Sequence, residues 1–204
     1  ALPTIKVGYE VDHEPLSYTD PETGEFAGIS RDILDLVAQN SGIYFTYVPL
    51  PAEGLDYEYL RQNGIYLLSD VDNNNIDTED GRLQFSDVYL QAEKVIIAGK
   101  TYTAATEGGR TIARVTGPNT LLPAQATADN TTYAEYTTAD AALHAVQRCE
   151  AVGLMMNRYA AEWALQNPQY DDLKVISTSS MQDSKCLTAL SFDGDSSEMA
   201  GLVN

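Results

Sequence analysis

At 204 residues, with 44% hydrophobic and 9% aromatic content, the chain is long enough to bury a sizeable apolar core and too apolar for a disordered segment. Its 30 acidic residues against 12 Lys and Arg leave a net charge of −18, which repels a polyphosphate backbone and argues against nucleic acid as a partner. The excess acid serves solubility or, on a sharper reading, attracts a cationic or amine-bearing ligand. No apolar stretch reaches the roughly 20 residues that cross a bilayer. No basic, apolar leader stands at Ala1, which leaves a cytoplasmic protein or one trimmed to its mature part.

The apolar run at 5–9 predicts a strand, followed by the Pro-aromatic loop Pro15-Leu16-Ser17-Tyr18, a Gly-containing turn at 20–24, and a helix opening at Ser30. Ser30 is expected to cap that helix, with Asp32 at the positive end of its dipole, Ile29 and Leu34 at the staple positions, Ile33, Leu36 and Val37 on one face, and Asn40-Ser41-Gly42 as its stop. A strand entering a helix in this way places side chains and amides at the carboxyl edge of a sheet, where open α/β folds bind ligands. A strand follows at 43–48, then a helix over 53–63 with Leu55, Tyr59 and Leu60 inward and Gly64 as its stop, and a short buried strand at 65–68. The Asn/Asp-rich stretch 70–81 predicts a polar loop.

A strand at 94–98 and a connector over 99–109 complete the first half. The second half alternates in the same way, with strands at 110–115, 132–137 and 152–156, helices from Thr138 to Arg148 and over 157–166, then strands at 173–176 and 185–190, and a helix start at 196–204. Alternating strands and helices predict an α/β fold with mixed, mainly parallel sheets. Cys149 and Cys186 carry no metal or Cys-x-x-Cys spacing, and either pair in an oxidising compartment or stay as two buried thiols.

Ile5-Lys6-Val7-Gly8-Tyr9 with Pro15-Leu16-Ser17-Tyr18, then Gly24-x-Phe26-x-Gly28-Ile29-Ser30-x-Asp32, Phe85-Ser86-Asp87-Val88-Tyr89 and the stretch 150–159 resemble the extracellular solute-binding proteins of family 3. These are the type II periplasmic, or Venus flytrap, binders, and the resemblance runs over nearly the whole chain in order. It implies two α/β lobes with a cleft between them: lobe one at 1–98, a connector at 99–109, lobe two at 110–180, and a return at 181–204 into a truncated C-terminal part of lobe one. Two crossing strands, at 94–98 and around 181–188, join the lobes.

Amino-acid binders of this family grip the ligand carboxylate with an Arg just before the Phe-Ser-Asp block; here the candidate is Arg82, displaced toward Phe85. The family's lobe-two Asp, which takes the ligand ammonium, falls on the neutral Asn157. With Asn157-Arg158-Tyr159 the chain looks more like sensor versions of the domain, carried outside the membrane by diguanylate cyclases and histidine kinases.

The residues themselves offer further candidates. Asp70, Asp72 and Asn74 occupy the first, third and fifth places of an EF-hand loop, but Asn75 and Gly81 fail its Gly and Glu positions, so a solvated cleft loop is the expectation and no metal is assigned. The turn Gly117-Pro118-Asn119-Thr120 offers amides and the Thr120 hydroxyl to an anion, and in the family it faces the cleft. Tyr9, Tyr18 and Tyr89 either wall the cleft or pack at the sheet edge, with packing preferred for Tyr89. Arg82 either anchors a carboxylate or pairs with its acidic loop. His144, on a helix without a triad-like partner, is expected at the surface, and Met155 and Met156 in the core.

The expected ligand-binding residues are therefore Tyr9, Tyr18, Asp72, Arg82, Thr120 and Asn157. The expectation is a non-enzymatic, extracellular or periplasmic module that needs no cofactor. It closes on a small polar ligand, an amino acid or related compound, as a monomer attached to the membrane only through an anchor or span outside this sequence. It is the sensing domain of a bacterial membrane signalling protein or, alternatively, a solute-binding protein of an ABC transporter; an enzyme on the same fold is the reading from another class.

Overall fold

β-branched and aromatic runs become strands, and capped amphipathic runs become helices, in a computed structural model that describes residues 3–51, 56–72, 82–102, 110–116 and 131–191. In chain order the elements begin with strands β1 (Thr4–Tyr9), β2 (Asp12–His13), β3 (Ser17–Thr19) and β4 (Phe26–Ala27). Helix α1 (Ile29–Ser41), β5 (Tyr44–Pro49), helix α2 (Tyr57–Gln62), β6 (Leu67–Asp72), β7 (Leu83–Phe85) and β8 (Leu90–Gly99) follow. Then come β9 (Arg110–Val115), β10 (Thr131–Tyr136), helix α3 (Ala139–Gln147), β11 (Gly153–Asn157), helix α4 (Arg158–Ala164) and β12 (Leu173–Leu190).

The chain divides into two units. The first comprises the described residues through Gln91 and from Ser184 onward; the second comprises those from Ala92 through Asp183. In the first unit β1 pairs in parallel with β5 and β6, while β12 runs antiparallel to β6 and to β7. Side chains alternate across the sheet, so successive residues of β6 serve opposite cores. Leu67 joins Ile5, Val7 and Leu34 of α1 on one face, and Leu68 joins Leu50, Ile65 and Leu60 of α2 on the other.

In the second unit β9 pairs in parallel with β10 and β11, and β8 is antiparallel to β11. Its core gathers Val95, Ile97, Ala113, Leu143, Leu154, Met156 and Tyr170. The hydroxyl of Thr138 accepts the Ala141 N–H at 3.1 Å and starts α3 as its sequence predicts. Thr138→Ala should therefore lower the unfolding free energy by about 1 kcal/mol, read as an earlier midpoint in urea with an unchanged slope.

Several expectations are corrected. Gly28, not Ser30, is the N-cap residue of α1, and no side chain caps that helix; Ser30 lies inside the first turn, where its hydroxyl turns to a buried partner. The helix begins at Ile29, two residues earlier than a Ser30 cap requires, and Leu34 faces the core while Leu36, two positions on and so on nearly the opposite side of the helix, is 58% exposed. α2 starts at Tyr57 on its Asp56 cap, and Tyr59 is only half-buried. β6 runs on through Asp70 to Asp72, residues expected in a loop, because β12 supplies ladder partners up to Asp72. The strands expected at 173–176 and 185–190 are one strand, β12.

His144 is half-buried, its Nδ1 2.9 Å from Gln147 Oε1 and its ring 5.6 Å from that of Tyr170, a packing position and not a surface one. The EF-hand positions from Asn74 on, the turn at 117–120 and the helix expected at 196–204 lie outside the described residues.

The two cysteines are free, Cys149 exposed and Cys186 buried against the Val71 carbonyl. Burial pushes the Cys186 thiol up from 9.0 to about 11. Ellman's reagent at pH 8 should titrate Cys149 in the native protein and reach Cys186 only on unfolding. The unfolded thiol ionises near 9.0 and the folded one near 11, so the stability this protonated thiol contributes is intact below about pH 9 and lost as pH rises toward 11. Denaturation midpoints that stay level over that window would contradict the burial.

Candidate functional site

The carboxyl edge of the first unit's sheet gathers polar side chains that packing alone does not require. β1 and β6 run in parallel as far as the Gly8–Leu68 pair, β6 continues beyond β1 to Asp72, and β12 sets Lys185 opposite Asp72 and Cys186 opposite Val71. The Tyr89 N–H donates to the Lys185 carbonyl at 3.0 Å, which fixes Tyr89 beside β12. Ser30 arrives from α1, whose first turn is strapped to the preceding loop by Ile29 N–H to Pro15 O at 3.1 Å and Ser30 N–H to Leu16 O at 3.0 Å.

Asp70 is the centre of this edge. It is 1% exposed and holds a left-handed backbone, φ 60°, that a non-glycine residue rarely adopts. The Tyr89 hydroxyl donates to Asp70 Oδ1 at 2.7 Å and accepts the Asp70 N–H at 3.0 Å. The Ser30 hydroxyl donates to the same Oδ1 and lies 3.0 Å from the Tyr89 oxygen. Lys185, itself 6% exposed, donates its ammonium to the Asp70 carbonyl at 3.1 Å. The second carboxylate oxygen, Asp70 Oδ2, is buried with no hydrogen-bond partner among the described residues. Burial first, and then the Asp70 charge, hold the Tyr89 phenol well above its ordinary range, so it is a proton donor at any physiological pH.

The residues singled out from sequence fall in different places. Tyr9 is core: its ring stacks on Phe26 at 4.3 Å and its hydroxyl lies 3.1 Å from Thr19 Oγ1. Tyr18 is half-buried and lines a shallow surface depression with Pro15, Asp20 and Asp32. Asp72 stands at this edge two residues from Asp70, and its Oδ1 accepts the Ser184 N–H at 3.1 Å. Arg82 lays its guanidinium over the Tyr57 ring at 4.1 Å. Thr120 lies outside the described residues. Of the four that the structure describes in the first unit, Asp72 is the one that shares the edge with Asp70.

Asn157 belongs to the second unit and is 4% exposed. Its Oδ1 accepts the N–H groups of Tyr159 and Ala160 at 2.8 and 3.3 Å, capping α4, and its Nδ2 donates to Asp183 Oδ2 at 2.9 Å. Next to it Arg158 binds Glu93 Oε2 through Nε and Nη2 at 3.0 and 2.7 Å. The Asn157 amide is thus occupied by structure on both ends.

Sequence reasoning missed Ser30, Asp70 and Lys185 as a group, and found in Tyr89 only a packed ring. The signal was there in part: Asp70 directly follows the buried run Leu67-Leu68-Ser69, and Lys185 is the lone cation of the strand expected at 185–190. Nothing local in either segment says that they meet.

The sequence matches no family model and no curated protein. Solved structures do resemble it. An arginine-bound ArgBP variant from T. maritima superposes with a TM-score of 0.73 at 18% identity, covering 98% of this chain and 92% of that one. The Bordetella pertussis BvgS VFT2 domain gives 0.76 at 19% identity, covering 99% of this chain and 85% of that one. A histidine kinase sensor domain with similarity to periplasmic binding proteins gives 0.77 at 14% identity, covering 99% and 87%. The chain therefore has the type II periplasmic-binding-protein fold, the fold that its opening blocks and its Phe-Ser-Asp-Val-Tyr segment resemble.

Proposed function

We propose that the chain is an extracytoplasmic small-molecule-binding module, the ligand-sensing domain of a bacterial membrane signalling protein. The observation that carries this reading is the likeness of the fold, over 98–99% of the chain, to binding and sensor proteins, joined to a buried polar cluster at the sheet edge where such α/β units take ligands. The ligand acts by its differential affinity for two states of the module, shifting an equilibrium already present.

The side chains support binding in place of catalysis. Ser30 sits against a carboxylate and a phenol, Nδ1 of His13 is 3.0 Å from Glu10 Oε2, and that of His144, in the second unit, is 2.9 Å from Gln147 Oε1. No imidazole is placed to activate the hydroxyl. A transport role, as a solute-binding protein, draws on the likeness to ArgBP and to the substrate-binding protein of an amino acid ABC transporter. The occupied Asn157 amide and the stacked Arg82 weigh against a zwitterion held as those residues were expected to hold it.

The test is a thermal-shift screen with amino acids, small peptides, polyamines and carboxylates. A ligand that binds only the folded state raises the melting temperature in proportion to the logarithm of its concentration above Kd. At least one class should do so saturably. A chain that no compound stabilises, or that converts one, does not have this function.

A further inference from the structure

We infer that Asp70 is a recognition residue for a primary ammonium group, so that the ligand class of the proposed module is small amines; this rests on the binding-module reading above. The cluster leaves one acceptor over. Two hydroxyls, Ser30 and Tyr89, are both directed at Asp70 Oδ1, and the Lys185 ammonium is directed at the Asp70 carbonyl. Among the described residues, no donor reaches the buried Oδ2.

A buried carboxylate that lacks part of its hydrogen bonding is costly, and a left-handed backbone at a non-glycine residue adds strain. The carboxylate is not what holds β6, whose backbone ladder to β12 continues on both sides of a register shift beside Asp70. Strain and unsatisfied charge kept together at a sheet edge mark a site held ready for a partner. The partner that completes Oδ2 must donate a hydrogen bond and should carry positive charge, which an ammonium does in one atom.

The surroundings agree. The Lys185 ammonium, held on the Asp70 carbonyl, is a like charge that a ligand ammonium must tolerate, while the neighbouring Asp72 and the net charge of −18 concentrate cations and deplete anions. A carboxylate ligand would meet the like charge of Asp70. Oδ2 is enclosed in this structure, so an ammonium reaches it through a local opening of the edge, and the observed affinity includes the cost of that opening.

The experiment titrates the native chain with propylammonium and putrescine, against tetramethylammonium, propionate and propionamide at equal ionic strength. Melting temperature and the side-chain carboxyl 13C resonances of labelled aspartate are followed together. Tetramethylammonium has the charge and no N–H donor, so it separates hydrogen bonding from bulk electrostatics. Primary amines should raise the melting temperature and move the Asp70 resonance, and the three control compounds should do neither. Asp70→Asn keeps the shape and tolerates the left-handed backbone; it should weaken amine binding roughly 10- to 100-fold, the loss of one charge-assisted hydrogen bond.

Equal shifts from tetramethylammonium, or amine binding that survives Asp70→Asn, would overturn the inference. So would an unmoved Asp70 resonance in the native chain, which decides the matter even if the variant does not fold and which is also the result if Lys185 swings over to Oδ2 in solution. Stabilisation by propionate, propionamide or another non-amine alone would overturn the amine assignment while leaving the binding module standing. A chain unmoved by these compounds and by the whole screen would overturn both.

Discussion

Tyr89→Phe should cost about 2–4 kcal/mol of folding stability, far more than the same deletion at an exposed tyrosine. The phenol both donates to Asp70 Oδ1 at 2.7 Å and accepts the Asp70 N–H at 3.0 Å. Removing it leaves one buried donor unpaired, a loss of about 1–3 kcal/mol, and withdraws one of the two hydroxyls directed at a buried charge, a loss of about 1 kcal/mol. Tyr44→Phe is the control, since Tyr44 is 62% exposed and a surface change of this kind stays within about 0.5 kcal/mol. Urea denaturation of both variants gives the comparison. Equal, small effects would mean that Tyr89 is held by its ring alone and that the Asp70 cluster has little bearing on the fold.

Gly28→Ala should be at least as damaging, at roughly 3–5 kcal/mol, the sum of backbone strain and overpacking. Gly28 has φ 117° and ψ −177°, a region essentially reserved for glycine, and a Cβ there would lie 2.4 Å from the Leu16 carbonyl oxygen. That obstacle is backbone, so no side-chain rotation relieves it. The strap from the Pro15–Leu16 loop to the first turn of α1 would have to move, and Ser30 with it. The variant should therefore lose stability and, where it still folds, disturb the environment of Asp70. Gly24→Ala is the informative contrast: its φ is 72°, yet nothing lies within 4 Å of a Cβ there, so the strain of about 1 kcal/mol stands alone. A Gly28→Ala chain as stable as Gly24→Ala would refute the close approach.

The architecture is readable from the sequence because the fold rests on local signals that do not conflict. β1, β5, β9 and β11 are β-branched or apolar runs between turn residues; α1 ends at Gly42 in a left-handed cap, and α3 starts on Thr138. The errors share a cause. Ser30 reads as a cap because serine before an apolar run usually is one, but a buried carboxylate 40 positions later outcompetes the backbone for its hydroxyl. Asp70 reads as loop because aspartate disfavours strands, yet tertiary pairing with β12 keeps it in one.

The site was less legible for the same reason. Its members come from four segments, around 30, 70, 89 and 185, and only the topology brings them to one edge. Arg82 and Asn157 were expected by likeness to other binders; here one stacks on Tyr57 and the other caps α4. Chemistry transferred from a family holds only where the side chain keeps its surroundings, and at both positions this chain has put the residue to structural use.

That this chain binds a small molecule without transforming it is tested most directly by calorimetric titration of the best-stabilising compound, with recovery and chemical analysis of that compound afterwards. The expected result is a saturable isotherm with one site per chain and ligand returned unaltered. An absence of saturable heat from any stabilising compound, or recovery of a changed product, would contradict it.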